Sequence, residues 1–416
     1  MSGIRATFAL VLLTLVLGCS DAGTTQPPNV VVFLTDDQGY GDVGAFGATD
    51  IPTPGFDRLA AGGLRLTSFY SAPTCTPSRA MLMTGSYGQR VSAPPAYYPW
   101  DDTGLSPDEI TMAEVLRERG YATGLVGKWH LGHRPPFLPT RQGFDEYFGI
   151  PYSNDMGRRN PLDLDIYPDL PLMDGETVIE TEPDQSQLVR RYTERATDFI
   201  ARHADAPFFL EIAHSMPHWP IAASDRFRGV SPRGLYGDVI AEVDWSMGQI
   251  LDALHEHGLD ERTLVLFVSD NGPWLIFGNH AGSAGALREG KSTSFEGGVR
   301  VPAIARWPGH VPAGAATSAV LGLADVVRVR RVAPDVADAD QGHAVALGEL
   351  RGLEGEAVQH RSDVAEADAL PVRASTEQRV PAALNDLVDG NSQRHGYATS
   401  SRFNSSITFG NSAPKS

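Results

Sequence analysis

The sequence predicts an α/β fold in which a large mixed, mostly parallel β-sheet is sandwiched by helices. Three observations predict it. Four apolar runs have the length of strands buried on both faces, and each stops at residues of quite different chemistry. Segments with helical spacing lie between those runs. The chain, 416 residues with 42% hydrophobic content, is long enough for one large core.

The elements follow in order. Arg5 and the apolar stretch Phe8 to Leu17 read as an export signal over residues 1–18. The stretch ends in Val16-Leu17-Gly18-Cys19, which resembles a bacterial lipoprotein processing box. Residues 19–28 are then a polar tether carrying a lipid on Cys19, the one expected contact with a membrane, with an ordinary secretory signal cut nearby as the alternative. The expected location is periplasmic or at the cell surface. Asn29 to Thr35 is the first strand and ends at Asp36-Asp37. In Cys75-Thr76-Pro77-Ser78-Arg79, Thr76 fits an N-cap, Pro77 the first helical position, and Gly85 the position past the helix end. Ile110 to Arg119 is helical and stops at Gly120; Ala122 to Val126 is a strand ending at Gly127-Lys128-Trp129-His130. Helix Val189 to His203 precedes strand Pro207 to Ala213, which ends at His214. Helix Asp238 to His257 precedes strand Thr263 to Val268, which ends at Ser269-Asp270-Asn271. In such a sheet, ligands gather at the carboxyl ends of the strands. Acids, a lysine and histidines all delivered there mark one site.

Charge and residue usage narrow its chemistry. A net charge of −17 argues against a nucleic-acid partner, which needs clustered Lys and Arg. Two cysteines in an exported chain of this size are not a disulfide scaffold, so Cys75 is the one thiol left if Cys19 is lipidated. A thiol at a helix N-terminus sits where free N–H groups and the helix dipole favour an anion, and Arg79 can reach back to the same spot. Adjacent carboxylates at Asp36 and Asp37 repel, and a hard divalent cation resolves that repulsion, with Asp270 and the amide oxygen of Asn271 adding ligands. All-oxygen donors favour Ca²⁺ or Mg²⁺ over zinc. Lys128, Lys291 and Lys415 are the only lysines among 34 Lys and Arg. The first two therefore stand out as positions wanting a compact ammonium. His130 and His214, at strand ends, are candidates for proton transfer.

These residues carry a resemblance. Cys75-Thr76-Pro77-Ser78-Arg79 is similar to the C-x-P-S-R signature of type I sulfatases, in the alkaline phosphatase superfamily. Asp36-Asp37-Gln38-Gly39-Tyr40-Gly41-Asp42, Gly127 to Gly132, Ser269 to Gly272 and Gly290 to Arg300 match the family's other segments in the expected order. Gly149-Ile150-Pro151-Tyr152-Ser153 places the chain nearest the arylsulfatase A-like branch. The resemblance covers residues 29–325, which it makes a catalytic domain.

The resemblance implies sulfate-ester hydrolysis. A formylglycine-generating enzyme oxidises Cys75, and one hydroxyl of the hydrated aldehyde attacks sulfur. Asp36, Asp37, Asp270, Asn271 and residue 75 hold the metal, Ca²⁺ rather than Mg²⁺. Arg79 polarises the nucleophile, and Lys128 and Lys291 clamp the sulfate. His214 protonates the leaving alcohol or phenol, His130 removes the proton that restores the aldehyde, and Ser153 lies near the substrate. The substrate class is a sulfated small molecule or carbohydrate. Phosphonate monoester and phosphodiester hydrolases share the superfamily and stay open as the alternative. So does an idle-site binding protein tethered by lipid.

Residues 326–416 depart from the family's small antiparallel-sheet subdomain. Their only aromatics are Tyr397, Phe403 and Phe409, and their only Ile is Ile407, in a chain with 6 Trp, 12 Tyr and 17 Phe. The mixture of Ala, Arg, Asp and Val reads as a disordered or frame-shifted segment, with a divergent folded domain as the alternative.

Overall fold

The computed structural model describes residues 26–162 and 165–326. The expected export signal, lipid site and atypical C-terminal segment lie outside the described residues, apart from Gln26 to Pro28 and Val326 at their borders. In chain order the strands are β1 (Asn29–Thr35), β2 (Leu64–Leu66), β3 (Phe69–Tyr70), β4 (Ala122–Gly127), β5 (Glu146–Gly149), β6 (Pro171–Asp174) and β7 (Thr177–Thr181). They continue with β8 (Phe208–Ala213), β9 (Thr263–Ser269), β10 (Arg300–Val301), β11 (Ala303–Arg306), β12 (Ala315–Thr317) and β13 (Leu321–Gly322). The α-helices are α1 (Pro54–Ala61), α2 (Cys75–Thr84), α3 (Met112–Glu118), α4 (Leu188–Arg202), α5 (Leu235–Glu256), α6 (Glu296–Val299) and α7 (Leu323–Val326).

Ten strands form one sheet in the order β12-β2-β11-β9-β1-β8-β4-β5-β6-β7. The centre, β9-β1-β8-β4-β5, is parallel throughout, while β11, β6 and β7 run antiparallel to their neighbours. This is the mixed, helix-flanked sheet the sequence predicts. A smaller sheet, β10-β3-β13, packs beside it.

Strands β1, β4, β8 and β9 are mostly apolar on both faces because both faces are covered, with Glu211 of β8 the one charged residue within them. Val31 and Phe33 of β1, Leu210 and Ile212 of β8, and Val265 and Phe267 of β9 face one core. That core is completed by Phe56 and Leu59 of α1, Tyr192 and Phe199 of α4, and Val243 and Met247 of α5. Val32 and Leu34, Phe209 and Ala213, and Leu266 and Val268 face the opposite core, with Ala80 and Leu82 of α2 and Met112 of α3. Alternate residues of one strand thus serve opposite layers, which follows from the two-residue period of the pleat. Among the described residues no helix is long and apolar enough to cross a membrane.

Candidate active site at the carboxyl ends of the central strands

The four central strands deliver their terminal residues to one place. Backbone hydrogen bonds continue past the strands and hold those ends together: Lys128 N donates to Ala213 O (2.7 Å), His214 N to Leu34 O (2.9 Å), and Asp270 N to Thr35 O (3.0 Å). Gly127 has φ +119°, and a Cβ there would lie 1.9 Å from Ala213 O, so only glycine lets β4 approach β8 closely enough to place Lys128.

Asp36, Asp37, Asp270 and Asn271 are all buried within this cluster, as expected from sequence. Their charges are met by three cations. Lys128 Nζ donates to Asp36 Oδ2 (2.5 Å) and Ser153 Oγ (3.0 Å). Arg79 places Nε and Nη2 on Asp270 Oδ2 (3.1 and 2.9 Å) and donates through Nη1 to Lys128 O (2.6 Å). Lys291 Nζ pairs with Asp37 Oδ1 at 2.7 Å. Burial pushes the Asp36 carboxyl up, but Lys128, His218, Arg79 and Lys291 outweigh it and hold the group well below the usual range. Asp37 is pushed up to about 7 by burial, Lys291 opposing and Asp36 and Asp270 adding to the rise.

Cys75 opens α2, which begins one residue before the expected cap. Thr76 does not cap: its Oγ1 donates to His130 O (3.1 Å), and Thr74 occupies the cap position. Gly85 closes the helix at φ 64° as expected. The Cys75 Sγ faces Asp36 Oδ1 at 3.4 Å and receives Lys291 Nζ at 3.3 Å. Burial and the Asp36 charge push the thiol well above its ordinary value.

The histidines divide. His130 Nε2 lies 3.1 Å from Tyr97 O, an acceptor, so this nitrogen carries the proton and Nδ1 keeps its lone pair. That Nδ1 is buried without a partner among the described residues. His214 is not brought to the cluster. It points into the core against the rings of Phe33 (4.9 Å) and Tyr192 (6.0 Å), and its Nε2 contacts Ser246 Oγ (3.0 Å). The reason is strand alternation: His214 continues the face of Leu210 and Ile212, opposite the face on which α2 packs. The expected leaving-group role for His214 is therefore corrected.

His218, four residues on, stands at the site instead. Its Nε2 is 3.4 Å from Ser153 Oγ and 3.7 Å from Asp37 Oδ2, while Nδ1 donates to Trp219 O (2.6 Å). Burial, then Lys291, push its pKa well below 6.5. A turn through Met216-Pro217 brings it back over the strand ends, and that fold-back is not written in local periodicity.

The acidic cluster fits a cation. Asp37 Oδ2 and Asn271 Oδ1 are buried acceptors without hydrogen-bond partners among the described residues, and Asp36, Asp37, Cys75 and His218 offer ligand atoms within 4.8 Å of one another. Unpaired buried acceptors beside three carboxylates are costly unless positive charge joins them.

Comparison with known proteins agrees. The family model described as Sulfatase matches residues 28–339. The chain is 44% identical over 335 residues to N-acetylgalactosamine-6-sulfatase of Mus musculus, covering 76% of this chain and 64% of that one. It is 43% identical over 325 residues to arylsulfatase A of Bos taurus, covering 74% and 64%. It thus spans a little under two thirds of the length of these curated relatives. Among solved structures, Ps i-CgsB in complex with a neocarrahexaose aligns with TM-score 0.65 and 33% identity, covering 72% of this chain and 70% of that one. The PsFucS1 sulfatase from Pseudoalteromonas sp. aligns with TM-score 0.64 and 32% identity, covering 72% and 66%.

Proposed function

The chain belongs to the sulfatase family, and on that premise we propose that it hydrolyses sulfate esters, using formylglycine made from Cys75. The observation that carries this reading is the seat of Cys75. It lies at the N-terminus of α2, with Lys291 Nζ and Asp36 on its sulfur and Arg79, Lys128 and His218 lining the same cluster. Such a gathering of buried cations, in a chain with net charge −17, suits a tetrahedral anion.

In its hydrated form, formylglycine at position 75 supplies the attacking oxygen. Lys128 and Lys291 hold the sulfate oxygens, and Ser153, bonded to Lys128, orients that ammonium. His218, once protonated beside the Asp37 carboxylate and the anionic ester, gives its Nε2 proton to the leaving oxygen while Nδ1 stays bonded to Trp219 O, the role first expected of His214. His130 Nδ1 takes up the proton that leaves residue 75, its tautomer fixed by Tyr97 O. Arg79 keeps Asp270 and the start of α2 in register.

Asp36, Asp37, Asp270 and Asn271, with residue 75, would hold a divalent cation, which supplies positive charge at the nucleophile and the sulfate. Ca²⁺ is favoured over Mg²⁺ because several carboxylate and amide oxygens on different strand ends suit a large, flexible shell better than a strict octahedron. The substrate class is a sulfated carbohydrate, supported by the names of the mouse relative and of the neocarrahexaose-bound structure. Maturation calls for a formylglycine-generating enzyme, and the leader points to export with a lipid on Cys19.

The test is kinetic and chemical. 4-Nitrophenyl sulfate should be turned over faster than 4-nitrophenyl phosphate, and mass analysis of the peptide holding residue 75 should find the aldehyde. Cys75→Ala should abolish turnover with an unchanged circular-dichroism spectrum. Chelation should remove activity, with Ca²⁺ restoring it better than Zn²⁺. Preference for the phosphate ester would move the protein to phosphonate or phosphodiester hydrolysis. A fully active enzyme with unmodified Cys75 would sink the formylglycine reading.

A further inference from the structure

An aromatic cluster borders the site on the side of His218. The Trp274 ring lies 5.2 Å from the His218 ring, and Lys291 Nζ sits 4.4 Å from the centre of the same indole. Phe277 meets Trp274 edge-on at 4.8 Å and stacks flat on Trp219 at 4.3 Å with 4° between planes. These rings are not core. Trp274, Phe277 and Trp219 are only half-buried, and the residues between the first two, Leu275 and Ile276, are 44% and 64% exposed. An apolar segment of this kind in open solvent marks a surface that something covers.

Its position says what. The leaving oxygen must come within hydrogen-bond reach of His218, so the carbon skeleton attached to that oxygen lies on the His218 side of the sulfate. Trp274 touches both His218 and Lys291, and no other half-exposed aromatic among the described residues is recorded against both. We propose that Trp274 is a specificity-determining residue whose indole, backed by Phe277 and Trp219, forms the wall against which a six-membered ring in the leaving group lies. This rests on sulfate-ester hydrolysis with His218 as the acid. The recognised chemistry is an apolar ring face next to a sulfated oxygen, found in a pyranose with its C–H face and in an arene.

The experiment uses the full-length, formylglycine-bearing protein and three esters: a pyranoside 6-sulfate, 4-nitrophenyl sulfate and acyclic ethyl sulfate. Trp274→Ala should raise KM for a ring-bearing ester at least about tenfold, with kcat changed much less. It should leave kcat/KM for ethyl sulfate within about twofold, and Trp274→Phe should restore most of the ring preference. A larger loss on the pyranoside identifies a saccharide as the natural leaving group, and a larger loss on the aryl ester an arene; either supports the wall. Equal losses on all three esters, carried in kcat, would mean that Trp274 acts only by holding Lys291, and the inference falls while the functional reading stands. A wild-type protein that hydrolyses none of the three overturns both.

Discussion

Two buried polar regions lie within a few residues of each other along β8, and they differ in kind. At the carboxyl end, Asp36, Asp37, Asp270, Arg79 and Lys128 are buried together with the nearly covered side chain of Lys291, and each cation has a carboxylate partner. Inside the layers, Glu211 and His214 are just as buried but lie on opposite faces of the strand, with no opposite charge among the described residues bonded to either. Glu211 Oε2 and His214 Nδ1 have no hydrogen-bond partner among the described residues, and burial pushes both groups toward neutrality, to about 7 and about 3. Burial alone therefore does not mark a working group. Convergence of opposite charges around a reactive atom does.

The largest effect should separate the two histidines. His218→Ala should lower kcat by about 100- to 10,000-fold, the range for removing a positioned proton donor, and by more for an alkyl than for a nitrophenyl ester. His214→Leu should leave kcat within about threefold, because Ser246 keeps its hydrogen bond from Thr193 (2.6 Å). Steady-state kinetics on both variants decides it. A collapse of kcat in His214→Leu with retained fold would erase the distinction between the two regions.

Most of the site was legible because each apolar run ends in the residue it delivers. Asp36 follows Thr35, Lys128 follows Gly127, and Asp270 follows Ser269 without a gap. The motif set fixed Arg79 and Lys291 by resemblance, though Lys291 lies on a loop that no periodicity places. His214 misled because it also ends a strand, yet Leu210, Ile212 and His214 share one face by simple alternation, and that face is the α4 and α5 side. Reading the pleat past the end of β8 would have removed it. His218 and Trp274 depend on how two loops fold back over the strand ends, which is a tertiary matter. The helix at Cys75 shows the limit of local rules: Thr76 suits a cap, but its hydroxyl is drawn to His130 O.

A smaller effect tests the interior pair through stability. Glu211 has its pKa raised from 4.5 to about 7, so its contribution is fully present below pH 4.5 and is lost as pH rises toward 7. His214 has its pKa lowered from 6.5 to about 3, so its contribution is present above pH 6.5 and is lost as pH falls. At roughly 1.4 kcal/mol per pH unit each, these slopes oppose and cancel between pH 4.5 and 6.5. Glu211→Gln should unmask the histidine slope there and add roughly 3 kcal/mol of stability above pH 7. Urea unfolding at several pH values reads both. An unchanged pH profile would mean that Glu211 is charged and paired in the folded protein, and so belongs with the first region.

The smallest effect probes what a paired charge in the first region requires of its shape. Lys128 is fully buried, and its ammonium is spent on Asp36 Oδ2 and Ser153 Oγ, two acceptors in different directions. Three rotatable N–H donors on one nitrogen can meet both and still turn a third toward a sulfate oxygen. The planar fork of arginine fixes its donors in one plane and needs more room than a site closed by Gly127 against Ala213 O provides. Lys128→Arg keeps the charge, so the electrostatic balance with Asp36 survives and the fold should hold. The cost should fall on catalysis, at least about tenfold in kcat/KM, or roughly 1.4 kcal/mol of transition-state stabilisation. The comparison with Lys291→Arg sharpens this. Lys291 Nζ also lies over the Trp274 ring, a contact that a guanidinium can replace, so its loss should be the milder of the two. Kinetics near wild type for Lys128→Arg would show that charge alone, without the compact ammonium, is what this end of the sheet supplies.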